Sequence, residues 1–401
     1  MLGRMDAPRD IADPALLDWC LHEAPSIDGL EPLLLAYIDR LRIAGVPLDR
    51  MRMYARTLHP QLAVAAYRWE AGKGIEAIRI SHEMDLRPTF LNSPVHMILD
   101  GGDGVRRRLT GENETLDFPV LQDLRDEGFT DYLVLPAGSS GKTANAVTYA
   151  SRGEGGFSEA DIAILKLGMK AIAGAIEIQA LRLLAGSVVE TYLGRRTGAR
   201  VLDGKIKRGD LETIDAILWH TDLRGFTELS ETCPPETVIT LLNEYFDVVG
   251  GAVENHGGEV LKFMGDAMLA IVPLEADQNP EAATDAALAA AREAMDRAAR
   301  VNEQRAVDCV PLIRFGIAVH IGSVGYGNIG VENRLDFTVI GPPVNLVSRI
   351  GSLCGTLDQR FLASEAFAAA ASPDALVACG DHSLKGIDQP VTVFKLREGP
   401  P

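Results

Sequence analysis

Two aspartates, Asp222 in TDLRGFTELSE and Asp266 in EVLKFMGDAMLAIV, sit where apolar, strand-like runs break at tight turns. A carboxylate in such a place stands at a strand end, free of the core. The first run, AILWHTD, ends at a Gly-containing turn that leads into a helix. The second, EVLKF, turns through Met264 and Gly265 and returns as AMLAIV, the pattern of a hairpin with an acid at its tip. If the two strands are neighbours, the carboxylates converge on one point. Paired hard-oxygen donors suit Mg²⁺ or Mn²⁺ bound together with the phosphates of a substrate. Asn345 and Arg349 lie four apart in PPVNLVSRI, a spacing that puts them on one face of a helix.

The elements that must place these residues read, after Asp210, as a strand (216–220), a helix (235–255), a hairpin (259–272), a helix (280–301), two strands (313–321 and 335–340) and a helix (344–354). The helix that follows Pro234-Pro235 uses proline where a missing N–H costs nothing, and HGG at 256–258 ends it. The expected fold class is α+β. Its core is ferredoxin-like, β-α-β-β-α-β, with an antiparallel sheet covered by helices on one face.

TDLRGFTEL, LKFMGDAMLAI, GIAVHIGSVGYGNIG and RLDFTVIGPPVNLVSRI, in this order and spacing, closely resemble the catalytic domain of class III adenylate and guanylate cyclases. The resemblance runs from Leu211 to Leu396, and VLDGKIKRGD is similar to the connecting element that precedes this domain in bacterial members. It implies that Asp222 and Asp266 hold two metal ions, Mg²⁺ or Mn²⁺, which activate the ribose 3′-hydroxyl and neutralise the triphosphate. The N–H groups of Gly225, Phe226 and Thr227 open a helix and form a natural phosphate cradle.

Lys262 and Thr338 match the family's two purine-reading positions. Adenine N1 accepts a hydrogen bond and lysine can only donate, whereas guanine N1 carries a proton and needs an acceptor. Lys262 therefore points to ATP. Thr338 can accept from the adenine amine but can also donate, so it discriminates less. Asn345 matches the family's ribose-orienting residue and Arg349 the arginine that stabilises charge on the α-phosphate, a task suited to fixed planar donors. The resemblance implies that Lys385 in LKGI reaches the β- and γ-phosphates, the alternative being a solvated loop lysine. Pro342 departs from the Asp or Asn that many members carry there, which bears on the local turn. In this family the acids of one chain face the Lys, Thr, Asn and Arg of the other, so the resemblance implies a homodimer with two sites.

Upstream, residues 1–58 read as helices, with DPALLDWCLHEA and LEPLLLAYIDRLRIAG at helical spacing. Residues 59–157 shift to short strands. DYLVLPA and ANAVTYAS, followed by GGFSEADIAILKLG, resemble the closing strands and final helix of a GAF-type sensor domain, though no ligand can be named; His82 and His96 read as structural or exposed. GSSGKT (138–143) lacks the first glycine of a phosphate loop and precedes a strand-like run, and DGGDG (100–104) reads as a surface turn. From Ser158, capped with Asp161, a helix of about 36 residues would span about 54 Å. It serves either as a coiled coil joining two copies or as a helix packed on its own sheet. Residues 158–210 are thus signalling helix and linker, with the boundary near Gly194, and 211–401 the catalytic domain.

The net charge of −17 with no basic block argues against nucleic acid and anionic membrane as partners. No apolar run approaches the roughly 18 residues of a membrane span, and the N-terminus lacks a signal-peptide core, which gives a cytoplasmic expectation. Five scattered cysteines read as buried thiols rather than disulfides or a zinc site. The expected function is conversion of ATP to 3′,5′-cyclic AMP and pyrophosphate under control of an unidentified small-molecule regulator. The rivals are a guanylate cyclase, a catalytically silent cyclase-like binding or dimerisation module, and a GAF-type receptor whose output is a partner protein.

Overall fold

The computed structural model of the chain describes residues 14–56, 62–81, 87–111, 114–140, 143–205, 207–274 and 279–397. The chain divides into two compact units, Met1–Thr191 and Tyr192–Pro401.

In the first unit, helices α1 (Pro14–His22) and α2 (Leu30–Ile43) precede strands β1 (Arg50–Arg56), β2 (Leu62–Glu70) and β3 (Gly74–Ser81). Short helices α3 (Pro88–Leu91) and α4 (Pro94–Leu99), strand β4 (Val105–Arg108), helix α5 (Pro119–Asp126), strands β5 (Asp131–Ser140) and β6 (Thr143–Ser151) and the long helix α6 (Glu159–Leu193) complete it. The strands form one antiparallel sheet in the order β3-β2-β1-β6-β5-β4. The expected helical segment of 1–58 therefore stops short. RMRMYA alternates polar and apolar residues with period two, and Met51 and Met53 go into the core as a strand's inner face does. One cluster packs α1, α2 and the first half of α6 on this inner face; a second packs α4 and α5 on the outer face.

GSSGKT falls at the tip of the β5–β6 hairpin, with strand β6 after it as expected; Gly141 and Lys142 lie outside the described residues, as does His82. DGGDG forms the turn between α4 and β4. His96 on α4 pairs with Asp100 at 3.3 Å. Ser158 and Asp161 close a capping box at the start of α6: the Asp161 N–H donates to Ser158 Oγ (3.2 Å) and the Ser158 N–H to the Asp161 carboxylate (2.8 Å).

Helix α6 corrects one expectation, because it is long and apolar enough to cross a membrane by length and composition. Two charges, Glu177 and Arg182, interrupt an otherwise uncharged stretch from 171 to 189, and the mean hydropathy survives them. Leu165, Ile172 and Ile176 have no exposed surface, whereas Ile178, Leu181, Leu183 and Tyr192 are exposed. The cysteines correct another. All five are free, but only Cys20 and Cys354 are buried; Cys309 is exposed.

The second unit begins with helix α7 (Arg195–Leu202) and strand β7 (Leu211–Leu223). Helices α8 (Phe226–Thr232) and α9 (Pro235–Asn255), the hairpin β8 (Glu259–Met264) and β9 (Ala267–Pro273), and helix α10 (Pro280–Val307) follow. Then come strands β10 (Phe315–Val331) and β11 (Arg334–Ile340), helix α11 (Pro342–Thr356), strand β12 (Phe361–Ser364), helix α12 (Glu365–Ala370) and strands β13 (Leu376–His382) and β14 (Val391–Leu396). The sheet order is β13-β14-β12-β10-β7-β9-β8, with β11 paired only to β10. This is the expected α+β core.

Helices cover both faces rather than one. Ala216, Ile217, Leu218 and Trp219 are fully buried in succession, as a strand with cover on both faces requires. Ile217 and Trp219 pack with residues of α9 and α10. Ala216 and Leu218 pack with Val347 and Ile350 of α11 and with Tyr326 and Val339 of the β10–β11 arm. Pro342 sits at the first turn of α11, where its fixed φ suits helix entry, so the departure noted at this position leaves the helix intact.

Candidate active site

Asp222 stands at the end of β7, and Asp266 is the turn residue that precedes β9. Register places them side by side, because β7 and β9 are antiparallel neighbours with Asp222 opposite Ala267. Gly265 makes the turn with φ of 67°, a conformation that favours glycine. Asp266 is half-buried and hydrogen-bonded to Asp222, and its pKa is pushed up to about 6. Burial is the largest cause, followed by the hydrogen bond and the charge of Asp222, while His220 pulls the other way. Two neighbouring acids, with no basic side chain bonded to either among the described residues, form a donor set that a divalent cation fits. Among the described residues no third Asp, Glu, His or Cys joins them in a metal-sized cluster, so further ligands must come from substrate or water.

The layer beneath the pair was not singled out from the sequence. His220 is one alternation before Asp222 and shares its face of the sheet. It is buried, its Nδ1 has no partner, and burial holds its pKa below the usual value. A Cβ at Gly351 would come within 2.6 Å of that Nδ1, so glycine is what lets α11 lie over the ring. On the opposite face Thr221 Oγ1 meets the buried Tyr245 hydroxyl at 3.0 Å. The Tyr245 pKa is raised, mainly by burial and further by the charges of Asp222 and Asp266. Arg224, two residues past Asp222, donates to the carbonyls of Cys354 and Gln359 and to the Asp358 carboxylate, tying the end of β7 to the end of α11. Gly225 is left-handed (φ 74°) and opens α8 at Phe226, with Thr227 in its first turn; that helix has seven residues.

Lys262 lies on β8 opposite Leu269 and is half-buried. A register shift between Val260 and Lys262 puts it on the face of Leu269, the side of α11 and the β10–β11 arm. Thr338, opposite Gly327 on the arm, is 5% exposed and its hydroxyl has no protein partner. Strands β8 and β11 lie against each other, so Lys262 and Thr338 are on adjacent segments. Asn345 is exposed and Arg349 half-buried, one helical turn apart on α11. Lys385 is exposed, and its neighbour Gly386 comes to Arg349: a Cβ there would lie 3.6 Å from the guanidinium. Within one protomer the groups sit on three parts of the fold: the acid pair at the ends of β7 and β9, the Lys262–Thr338 segments of β8 and β11, and α11 with the Lys385 loop.

A buried polar network fixes the start of β8. Glu259 accepts from the Thr197 N–H of α7 (2.9 Å), and Thr197 Oγ1 meets the Tyr326 hydroxyl at 2.8 Å. The Tyr326 hydroxyl donates to Glu259 (3.4 Å), and the Arg200 guanidinium stacks 5.0 Å from the Tyr326 ring. This network joins α7 to both the strand of Lys262 and the strand paired with β11.

Residues 212–394 match the family described as the adenylate and guanylate cyclase catalytic domain. The second unit belongs to the class III adenylate and guanylate cyclases. The chain is also 36% identical over 243 residues to an uncharacterized protein of Mycobacterium tuberculosis, an alignment that covers 60% of this chain and 42% of that one. The chain thus spans about two-fifths of the length of such curated relatives. Among solved structures, the guanylyl cyclase Cya2 is 30% identical over 46% of this chain and 93% of its own, with a TM-score of 0.41. The adenylyl cyclase CyaB from P. aeruginosa is 23% identical over 48% of this chain and 97% of its own, with a TM-score of 0.41. One of these two structures is named a guanylyl cyclase and the other an adenylyl cyclase.

Proposed function

We propose that the protein is an adenylate cyclase, active as a homodimer, that converts ATP to 3′,5′-cyclic AMP and pyrophosphate. The observation that carries the reaction class is the Asp222–Asp266 pair at the β7 and β9 ends of a class III cyclase domain. Two divalent cations, Mg²⁺ or Mn²⁺, fit these carboxylates and when bound would lower the pKa of the ribose 3′-hydroxyl and neutralise the leaving pyrophosphate.

The remaining roles belong to the chain's own groups. Lys262 donates to adenine N1, and the unpartnered Thr338 hydroxyl accepts from the exocyclic amine. Asn345 orients the ribose. Arg349 donates to the α-phosphate oxygens as charge develops there, and Lys385, on the loop beside it, neutralises the β- and γ-phosphates. The first backbone amides of α8, at Gly225, Phe226 and Thr227, line the phosphate path. The resemblance to the class III cyclases, whose acids face the Lys, Thr, Asn and Arg of a second chain, supports a site completed by a second copy, so that a dimer holds two sites and a monomer none. The exposed second half of α6 supports its reading as the helix that joins two copies. The first unit, a six-stranded sheet flanked by helices, is read as a GAF-like sensor, and the whole chain as cytoplasmic, where ATP is supplied.

Purified full-length protein with Mn²⁺ and either ATP or GTP tests this reading. Cyclic AMP formation from ATP at several times the GTP rate is expected. Preference for GTP would overturn the base assignment, and turnover of neither nucleotide would favour the silent-module alternative.

A further inference from the structure

The first unit contains a cavity of about 330 Å³ on the outer face of its sheet. Its floor follows from the alternation of β1. With Met51 and Met53 committed to the core, Arg50, Arg52 and Tyr54 point the other way, joined by Tyr132 of β5 and Thr148 of β6. Phe90, Val95, Val120 and Leu124, from α3 to α5, form the opposite wall. The volume is at the lower end of the range used for small molecules, roughly 300–1,000 Å³.

The floor's two arginines are in different states. Arg50 is saturated: it donates to Glu70 at 2.8 Å and to Glu127, and its guanidinium lies over the Phe129 ring. Arg52 makes no hydrogen bond or ion pair with any described residue, and its Nε is buried without a partner. Arg87 and Asp123 at the rim are both exposed, and the Glu127 carboxylate, which lines the same cavity and is bonded to Arg50, feels the charge of Arg52 and offsets part of it without bonding to it. The buried Nε donor costs free energy until an acceptor joins it, and the planar fork of the half-buried guanidinium matches a carboxylate or phosphate. Tyr54, Phe90 and Tyr132 add flat, largely apolar surface suited to a ring.

We infer that this cavity binds a small aromatic anion, with the Arg52 guanidinium holding its carboxylate or phosphate. The inference does not rest on the cyclase reading, and its test measures no turnover. Ligand-observed ¹⁹F NMR titrations of the full-length protein would use 4-fluorobenzoate, 4-fluorophenyl phosphate and the neutral 4-fluorobenzamide. At least one anion should bind saturably and at least tenfold more tightly than the amide, about 1.4 kcal/mol. Whichever anion is preferred distinguishes the carboxylate from the phosphate source. Arg52→Met should abolish that preference while leaving amide binding unchanged. Should Arg52→Met fail to fold by circular dichroism, Arg52→Lys carries the test: a point charge in place of the fork should weaken anion binding about threefold or more. No saturable anion binding, equal affinity for anion and amide, or undiminished anion affinity in the variant that folds would overturn the inference.

Discussion

Replacing Asp222 by asparagine should stabilise the metal-free second unit while removing its chemistry. Asp266 is raised from 3.8 to about 6, by burial first and then by the hydrogen bond and charge of Asp222. A shift of two units corresponds to about 3 kcal/mol. Burial takes the largest share and a half-exposed carboxylate is screened, so the part that Asp222→Asn relieves is about 1 kcal/mol. The folded protein holds the Asp266 proton more tightly than the unfolded chain. The pair therefore lowers stability in full above the folded value near 6, and this penalty fades as the pH falls towards 3.8. In EDTA at alkaline pH, the most protected β7 and β9 amides of the variant should exchange about fivefold more slowly, after correction for intrinsic rates. The difference should vanish at the acid end of the range. Mn²⁺ should reverse the order, because a cation that binds only the folded acid pair stabilises the wild type by mass action. Equal or faster exchange in metal-free Asp222→Asn, or equal Mn²⁺ protection of both proteins, would refute the reasoning.

Three further outcomes are expected. Asp222→Ala and Arg349→Ala proteins should each be inactive, yet an equimolar mixture after subunit exchange should recover about a quarter of wild-type turnover, since half the dimers regain one of two sites; no recovery would argue against a site completed across protomers. Glu70, 5% exposed, is held at about 2 because hydrogen bonds from Arg50, Lys73 and Arg152 outweigh its burial; its contribution is present above the ordinary value of 4.5 and lost as pH falls towards 2. Acid titration followed by hydrogen exchange of β2 should show this loss, and Glu70→Gln should lower stability by about 3 kcal/mol at neutral pH and flatten the profile. Thr197→Val keeps the backbone bond to Glu259 but strips the Tyr326 hydroxyl of a partner; stability should fall by about 1–2 kcal/mol, and if the network positions β8, the KM for ATP should rise more than kcat falls.

The catalytic half was legible because its signals are local. The acids are announced by turns, the hairpin by Met264-Gly265, and α9 and α11 by prolines at their starts. What failed depended on tertiary context. RMRMYA was absorbed into a helical segment because short period-two runs compete poorly with the long helical pattern before them. The second layer of cover on the catalytic sheet was missed although AILW shows no alternation, the mark of a strand buried on both faces. His220 could have been found by counting one alternation back from Asp222. Nothing local could have paired Thr197 with Glu259 and Tyr326, separated by 62 and 129 residues. The same is true of Arg52, whose interest lies in what fails to reach it.

The placement of β11 bears on how this domain could change over generations. Lys262 shares its hairpin with Asp266, four residues on, so on the proposed reading a substitution that reshapes the base contact there also disturbs a proposed metal ligand. Thr338 sits on a strand outside the main path of the sheet, bonded to β10 alone. It has no backbone pairing with either strand that carries an aspartate. On the proposed reading, a lineage altering its purine preference meets a route at Thr338 that is not tied through one hairpin to an aspartate, as the route at Lys262 is.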